Sequence, residues 1–214
     1  SNSPAALWSW WWRLLTAHYC AWNLGQVIRG LLKRQSNEWR HHGSPRKTVV
    51  RRTPTNVKVM VIVAYDCDGV ILTHAVPQGQ NVNAQYFRHF LKNNLRPALR
   101  RKHPHFLQNP PIILQDNARV HTAHPITDLY HHWGWEVLFH PPHSPDLSPC
   151  DYDLIPKMKE PLRDVRFRTV PDILQALGRS IRTINRRGAA TGIQRLPHRW
   201  QRVVDNAGDY IEGL

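Results

Sequence analysis

The stretch that decides the fold reads I-I-L-Q-D-N-A-R-V-H at residues 112–121 and H-P-P-H-S-P-D-L-S-P-C-D-Y-D at residues 140–153. The apolar run Ile112–Leu114 predicts a buried strand, and Asp116 follows just past its end. Asp151 comes after 34 intervening residues, at the start of a predicted helix. Carboxylates in such positions suit hard cations such as Mg²⁺ and Mn²⁺, which in pairs serve phosphoryl transfer. The spacing therefore raises the hypothesis of a metal-dependent enzyme that acts on phosphodiesters.

Both aspartates also have a purely local interpretation. Asp116 followed by Asn117 is typical of a turn after a strand, because both side chains bond their own backbone. Ser148 and Pro149 are typical of a helix start, with Asp151 at the third helical position, where a carboxylate favours the helix dipole. On spacing alone the local interpretation is favoured, since a motif match is only a hypothesis.

The composition favours a polyanionic partner. The 214 residues carry 29 Lys and Arg against 15 Asp and Glu, a net charge of +14. Phosphates dominate the affinity of such basic proteins for nucleic acid. The three scattered cysteines argue for a reducing compartment and against a structural zinc site. No apolar run reaches the ~18 residues of a membrane span, so we expect nucleic acid and no membrane.

From residue 57 onwards the predicted strands and helices alternate. The predicted elements are a hairpin of Val57–Ala64 and Val70–Val76, a helix begun by Asn83 and bent or ended at Pro97, strand Ile112–Gln115, helix Thr122–Trp133, strand Trp135–His140, the helix carrying Asp151, and helix Pro171–Arg187. This order predicts an α/β domain whose partly parallel sheet is covered on both faces. Both aspartates then fall near the carboxyl ends of strands, where such sheets keep their sites.

Several motifs together resemble mariner-type transposases. They are D-N-A-R-V-H-T-A-H at residues 116–124, W-G-W-E-V-L at residues 133–138, S-P-D-L-S-P-C-D-Y-D-L at residues 144–154, R-L-P-H-R-W-Q at residues 195–201 and G-D-Y-I-E at residues 208–212. The resemblance covers residues 31–214. It reverses the preference for a local interpretation of the two aspartates.

The resemblance implies a ribonuclease H-like three-layer domain with a mixed sheet, which cuts and rejoins DNA at transposon ends. Three aspartates in that family hold two Mg²⁺ or Mn²⁺ ions, and Asp116 and Asp151 match the second and the third. Asn117, Arg119 and His121 belong to the motif around Asp116, where we expect them to bind DNA or support the metal ligands. A homodimer and a nuclear location are expected on the same basis.

The first aspartate of the family has no counterpart in this sequence. It should lie on the first, central strand, near Ala21–Trp22, but no carboxylate precedes Glu38. The family's N-terminal helix-turn-helix region is not found either, and the Trp-rich start resembles unrelated sequence joined to a truncated transposase. We therefore divide the chain into a Trp-rich segment at residues 1–30, a basic arm at residues 31–56 and the ribonuclease H-like domain at residues 57–214.

No other acid is a good substitute for the first aspartate. Asp66 and Asp68 sit in a hairpin turn that should be remote from the metal pair. Asp146 fits a loop structure better, and Glu38 lies in a loop that in the family reaches a partner subunit. Loss of one charged ligand from a two-metal site should suppress strand transfer by orders of magnitude.

The family's first strand is also central to its sheet, so its loss would leave two strand edges unpaired. We therefore expect Leu14–Ala21 to be recruited as a replacement strand. The resulting prediction is an inactive transposase catalytic domain. The alternatives are a non-catalytic DNA-binding or oligomerising remnant and, with less support, a ribonuclease H-like nuclease with a different substrate.

Overall fold

A mixed five-stranded sheet forms the centre of the protein, which was studied as a computed structural model. The structure describes the backbone of residues 19–29, and residues 57–138, 144–163, 165–188 and 191–206 with their side chains. The sheet has the order β3-β2-β1-β4-β5. Its strands are β1 (Tyr19–Arg29), β2 (Lys58–Asp66), β3 (Gly69–Val76), β4 (Ile112–Leu114) and β5 (Glu136–Leu138).

The central strand comes from the segment before residue 31. β1 pairs antiparallel with β2 and parallel with β4, where Tyr19 lies opposite Ile112 and Ala21 opposite Leu114. A central strand precedes residue 31, as predicted, but it spans Tyr19–Arg29, and only Tyr19–Ala21 of it belong to the predicted range Leu14–Ala21. Residues 14–18 lie outside the described part of the chain. The sheet thus includes a strand that the division at residue 57 left outside the ribonuclease H-like domain.

Alternate residues of β2 face two separate apolar cores, which explains its nearly continuous apolar sequence. Val61, Val63 and Tyr65 pack into one core, whereas Ile62 and Ala64 pack into the other. A strand that is buried on both faces needs helices above and below the sheet. The three-layer α/β arrangement predicted from the sequence is therefore present.

One face of the sheet is covered by α1 (Ala84–Phe90), α2 (Arg96–Lys102) and α3 (His124–His132). The Asn83 side chain accepts a hydrogen bond of 2.8 Å from the Tyr86 N–H, so the predicted helix cap is confirmed. Pro97 does not end the helix, because a π turn at Leu91–Leu95 leads directly into α2. Pro97 then falls in the first turn of α2, where a missing N–H costs least.

The other face is covered by α4 (Ile155–Lys159), α5 (Val170–Arg186) and α6 (Gly192–Asp205). Helix α5 matches its prediction within one residue at each end, and a capping box between Thr169 and Asp172 starts it. The sequence did not predict α6, because Gly192 and Pro197 are poor helix formers. No helix in the described part of the chain is long and apolar enough to span a membrane.

Candidate metal centre

Asp116 lies just beyond the carboxyl end of β4, in a turn that presents its side chain at the edge of the sheet. Its Oδ1 accepts a hydrogen bond of 3.1 Å from the Ala118 N–H, so the turn suggested by the Asp-Asn pair is real. The carboxylate is nevertheless 43% exposed. The turn therefore orients Asp116 and leaves it accessible to a ligand.

The side chain of His121 contacts Asp116 from the protein interior. His121 is fully buried, and its Nδ1 lies 2.8 Å from Oδ1 and 3.2 Å from the carbonyl oxygen of Asp116. Both partners are acceptors, so Nδ1 carries the hydrogen. The ring packs 4.8 Å from that of Phe87, and among the described residues its Nε2 has no hydrogen-bond partner. His121 thus contacts Asp116 itself, whereas Asn117 and Arg119 lie exposed on the turn.

Asp151 lies in the first turn of the helical segment that follows Ser148. The Asp151 N–H donates to the Ser148 carbonyl at 2.9 Å, and the Ser148 hydroxyl lies 3.4 Å away. The helix start suggested by Ser148 and Pro149 is therefore confirmed. It opens as a π turn, Cys150–Leu154, before α4. This segment can therefore both start a helix, through Ser148 and Pro149, and present Asp151 as a candidate ligand.

Asp116 and Asp151 both lie near the buried thiol of Cys150. Burial raises the pKa of the Cys150 thiol well above its usual value, and the negative charges of Asp151, Asp116 and Asp153 raise it further. Two carboxylates separated by 34 intervening residues therefore act on one side chain. The turn that carries Asp151 also packs against β1, which pairs with β4. β4, β1 and the π turn thus converge at this edge.

The register of β1 indicates which of its residues would provide a third carboxylate. Ala21 is opposite Leu114, the last residue of β4, and a register continued by two residues would bring Asn23 level with Asp116. The family's first aspartate was expected near Ala21–Trp22. None of Ala21, Trp22 and Asn23 is acidic. The strand is present at this edge and its carboxylate is not.

Asp153 is a buried carboxylate with a different environment, which the sequence analysis missed. Lys157 Nζ lies 2.6 Å from its Oδ1, the Arg195 guanidinium donates to the same oxygen, and the Gly192 N–H donates to Oδ2 at 3.0 Å. The pairing with Lys157 could have been predicted from the sequence, because side chains four residues apart on a helix are neighbours. Arg195 and Gly192 belong to α6, so Asp153 joins α6 to the π turn.

The acids of the hairpin turn form a separate group. Asp66 is buried, with Lys102 Nζ at 2.9 Å and His103 Nε2 at 2.5 Å, and the ligand atoms of Asp66, Asp68 and His103 lie within 4.8 Å of one another. Asp66 is opposite Cys20, and the turn continues from there towards the sheet edge away from Asp116. The Lys102 ammonium already supplies positive charge, so this turn does not complete the Asp116 site.

Asp146 is also part of the scaffold. It is buried in a 3₁₀ turn, Pro145–Leu147, and its carbonyl oxygen accepts a hydrogen bond of 2.6 Å from Arg199 Nε. This agrees with the loop role expected from the sequence. Glu38 lies outside the described residues.

The sequence of this chain is similar to those of several known proteins. The family described as DDE superfamily endonuclease matches residues 27–174. Mariner Mos1 transposase of Drosophila mauritiana is 34% identical over 172 residues, which are 79% of this chain and 50% of that protein. Histone-lysine N-methyltransferase SETMAR of Homo sapiens is 29% identical over 180 residues, 84% of this chain and 26% of that protein. The chain thus spans half or less of these curated relatives.

Solved structures agree with the sequence matches. A pre-cleavage Mos1 transpososome superposes with a TM-score of 0.84 at 28% identity, covering 97% of this chain and 61% of the other. The catalytic domain of Mos1 mariner transposase gives a TM-score of 0.74 at 30% identity, covering 97% and 91%. The predicted ribonuclease H-like fold is thereby confirmed. By sequence and by fold, this chain belongs to the DDE superfamily of endonucleases, as a catalytic domain of the mariner transposase type.

Proposed function

We propose that this domain acts on DNA and that Asp116 and Asp151 hold Mg²⁺ or Mn²⁺ for phosphoryl transfer. The observation that carries this proposal is the placement of the two carboxylates: Asp116 lies just beyond the carboxyl end of β4, and Asp151 lies in the π turn that packs against β1, the neighbour of β4. Paired-end complexes of the Mos1 relative have been solved with Mn and with Mg. Carboxylate oxygens are the ligands that both ions prefer.

The two aspartates fit a divalent ion. Asp116 is fixed by the Ala118 N–H and by His121 while its carboxylate stays partly exposed. Asp151 is held by the helix start at Ser148. A bound ion supplies charge stabilisation to a phosphoryl oxygen, and the residues of this chain orient its ligands. His121, Asn117 and Arg119 would then position Asp116 or contact the DNA beside it.

We further propose that strand transfer is suppressed in this form of the chain. Three carboxylates are expected for two ions, and positions 21–23 of β1 provide none. Two carboxylates suit a single ion, so we expect cleavage to be slower by orders of magnitude than in a complete two-metal site. The missing carboxylate also favours the second candidate function, a non-catalytic DNA-binding or oligomerising remnant with a net charge of +14.

The proposed partners are transposon-end and target DNA and a second copy of the chain. A Mos1 transposase paired-end complex with a left transposon end matches this chain with a TM-score of 0.83 at 29% identity. The positive charge suits the phosphate backbone of DNA. Because chromosomal DNA would be the substrate, we propose a nuclear location.

A nicking assay on supercoiled DNA with Mn²⁺ tests the proposal and separates it from the remnant. We expect slow nicking by the unmodified chain and none by Asp116→Ala or Asp151→Ala. Asp205→Ala is the matched control, because Asp205 is an exposed acid at the end of α6 whose carboxylate accepts a hydrogen bond from Gln201. Salt-sensitive DNA binding without any metal-dependent nicking would instead establish the remnant.

A further inference from the structure

A surface groove of about 1000 Å³ runs between α3 and the helical segment formed by α1, the π turn and α2. It lies on the sheet face opposite α5 and α6. Its lining includes Arg88, Lys92, Arg96, Asp128, His132 and Trp133. It plays no part in the metal site described above.

The groove begins at the edge where Asp116 lies and leads away from it. α3 follows β4, and α1 follows β3, whose last residue is level with Val27 near the carboxyl end of β1. Both helices therefore start at the carboxyl edge of the sheet and run back across it. Near this start, Phe87 of α1 packs on His121, the residue that holds Asp116.

One wall of the groove carries a row of three cations. Arg88, Lys92 and Arg96 recur every fourth residue and line the same groove, so neighbouring members are about 6 Å apart along the helix. Within the described part of the chain no carboxylate forms an ion pair with any of them. Asp128, the acid in the lining, is paired with His124 at 2.8 Å. The row thus presents uncompensated positive charge to solvent.

The far end of the groove is pre-organised by an aromatic ring. The Arg96 guanidinium lies 4.5 Å from the centre of the Trp133 ring, a cation–π arrangement that fixes its position. Burial lowers the pKa of the Arg96 guanidinium, and Arg100 lowers it further. A bound anion beside Arg96 would stabilise the charged guanidinium and so offset both effects. His132, next to Trp133, adds a further nitrogen donor to this end.

We infer that this groove binds the phosphodiester backbone of DNA that continues beyond the catalytic edge. The inference rests on the proposed function and extends it, because it assigns a second DNA contact outside the metal site. A row of cations at regular spacing on a helix suits repeating phosphates, whose neutralisation releases counterions. The position favours DNA over an acidic peptide, since the groove starts beside the aspartates proposed to act on a phosphodiester.

The test compares two triple variants with equal loss of charge. Arg88→Gln, Lys92→Gln and Arg96→Gln together remove the groove cations. Arg179→Gln, Arg182→Gln and Arg186→Gln remove three exposed cations of α5, on the opposite face. Binding of a fluorescent duplex is measured by anisotropy at several salt concentrations. Each lost phosphate contact should lower the slope of log affinity against log salt by about 0.9.

We expect the groove variant to lose about 2 to 3 units of slope and at least tenfold in affinity, and the control variant to lose less than one unit. Equal losses in the two variants would overturn the inference. A poly-glutamate competitor that displaces DNA at equal charge concentration would overturn it too. Both variants keep Asp116 and Asp151, so Mn²⁺ binding by each should match that of the unmodified chain. Absence of Mn²⁺ binding in all three proteins would count against the proposed function and leave the groove result valid.

Discussion

Asp151 and Asp153 are two residues apart in one π turn, yet their carboxylates have different surroundings. Asp153 is fully buried and accepts hydrogen bonds from Lys157, Arg195 and the Gly192 N–H. Asp151 is only partly buried and lies at the edge that it shares with Asp116. The chain surrounds one carboxylate with its own cations. The other carboxylate lies near the Lys159 side chain and shares its edge of the sheet with Asp116.

The difference separates the acids that the fold pairs internally from the two acids that we propose as metal ligands. A buried charge is costly unless it is paired, and the pairs of Asp153 and Asp66 come from the chain itself. Asp116 and Asp151 are instead partly exposed, so water can reach both carboxylates and a cation could do so too. Substitution should therefore affect folding at the first kind of acid and ligand binding at the second.

The largest effect is expected from restoring the missing carboxylate. Asn23→Asp should raise Mn²⁺-dependent nicking by at least about 100-fold, because a third charged ligand would allow a second ion to bind. Supercoiled-plasmid nicking measures this. Trp22→Asp and Ala21→Asp are the matched variants, and the β1–β4 register predicts the gain at residue 23. A gain at residue 21 or 22 alone would show that the register does not continue as we infer.

Next comes the loss of Asp153. Asp153→Asn should lower the free energy of unfolding by on the order of 3 kcal/mol, because Lys157 and Arg195 lose their shared partner. Both cations are partly exposed, which keeps the effect at the lower end of the usual range. Urea denaturation followed by circular dichroism measures it. Asp151→Asn, the control, should cost less than about 1 kcal/mol. Reversed costs would contradict the distinction drawn between the two residues.

A smaller effect is expected where α6 packs against the same carboxylate. A Cβ atom at Gly192 would lie 2.7 Å from Asp153 Cβ and 2.9 Å from the Tyr65 hydroxyl. Gly192→Ala should therefore destabilise the domain by about 1–3 kcal/mol, as overpacking usually does. Gly178→Ala in α5 is the control, since its Cβ would meet only Arg182 at 3.7 Å. Equal unfolding midpoints for the two variants would argue against close packing at Gly192.

The smallest effect concerns the support of Asp116. His121→Phe keeps an aromatic ring beside Phe87 but removes the Nδ1 donor to the carboxylate. We expect Mn²⁺ affinity, measured by calorimetry, to fall by about tenfold, since partners of metal ligands usually contribute that much. The unfolding midpoint should change little. Unchanged affinity would mean that His121 fills space and does not orient Asp116.

The sequence predicted features whose interacting residues are close together in the chain better than features whose interacting residues are far apart. Asp116 and Asp151 could be proposed as ligands because their flanking motifs are local, and the Asn83 helix cap could be predicted because a cap is local. Asp153 was missed because Gly192 and Arg195 lie about 40 residues away and belong to a helix disguised by Pro197. Strand β1 was placed too early because its sequence has no clear alternation, so pairing with β2 and β4 decided its range.

The central position of β1 affects how domains of this type tolerate substitutions during evolution. Main-chain hydrogen bonds on both sides hold this strand in place, and these bonds do not depend on which side chains it carries. The sheet can therefore keep its architecture while the strand accumulates substitutions. In an evolving lineage the ability to fold and the ability to cut DNA would then be inherited separately. A domain of this type can lose its catalytic activity and keep its fold. The folded domain could then acquire another function.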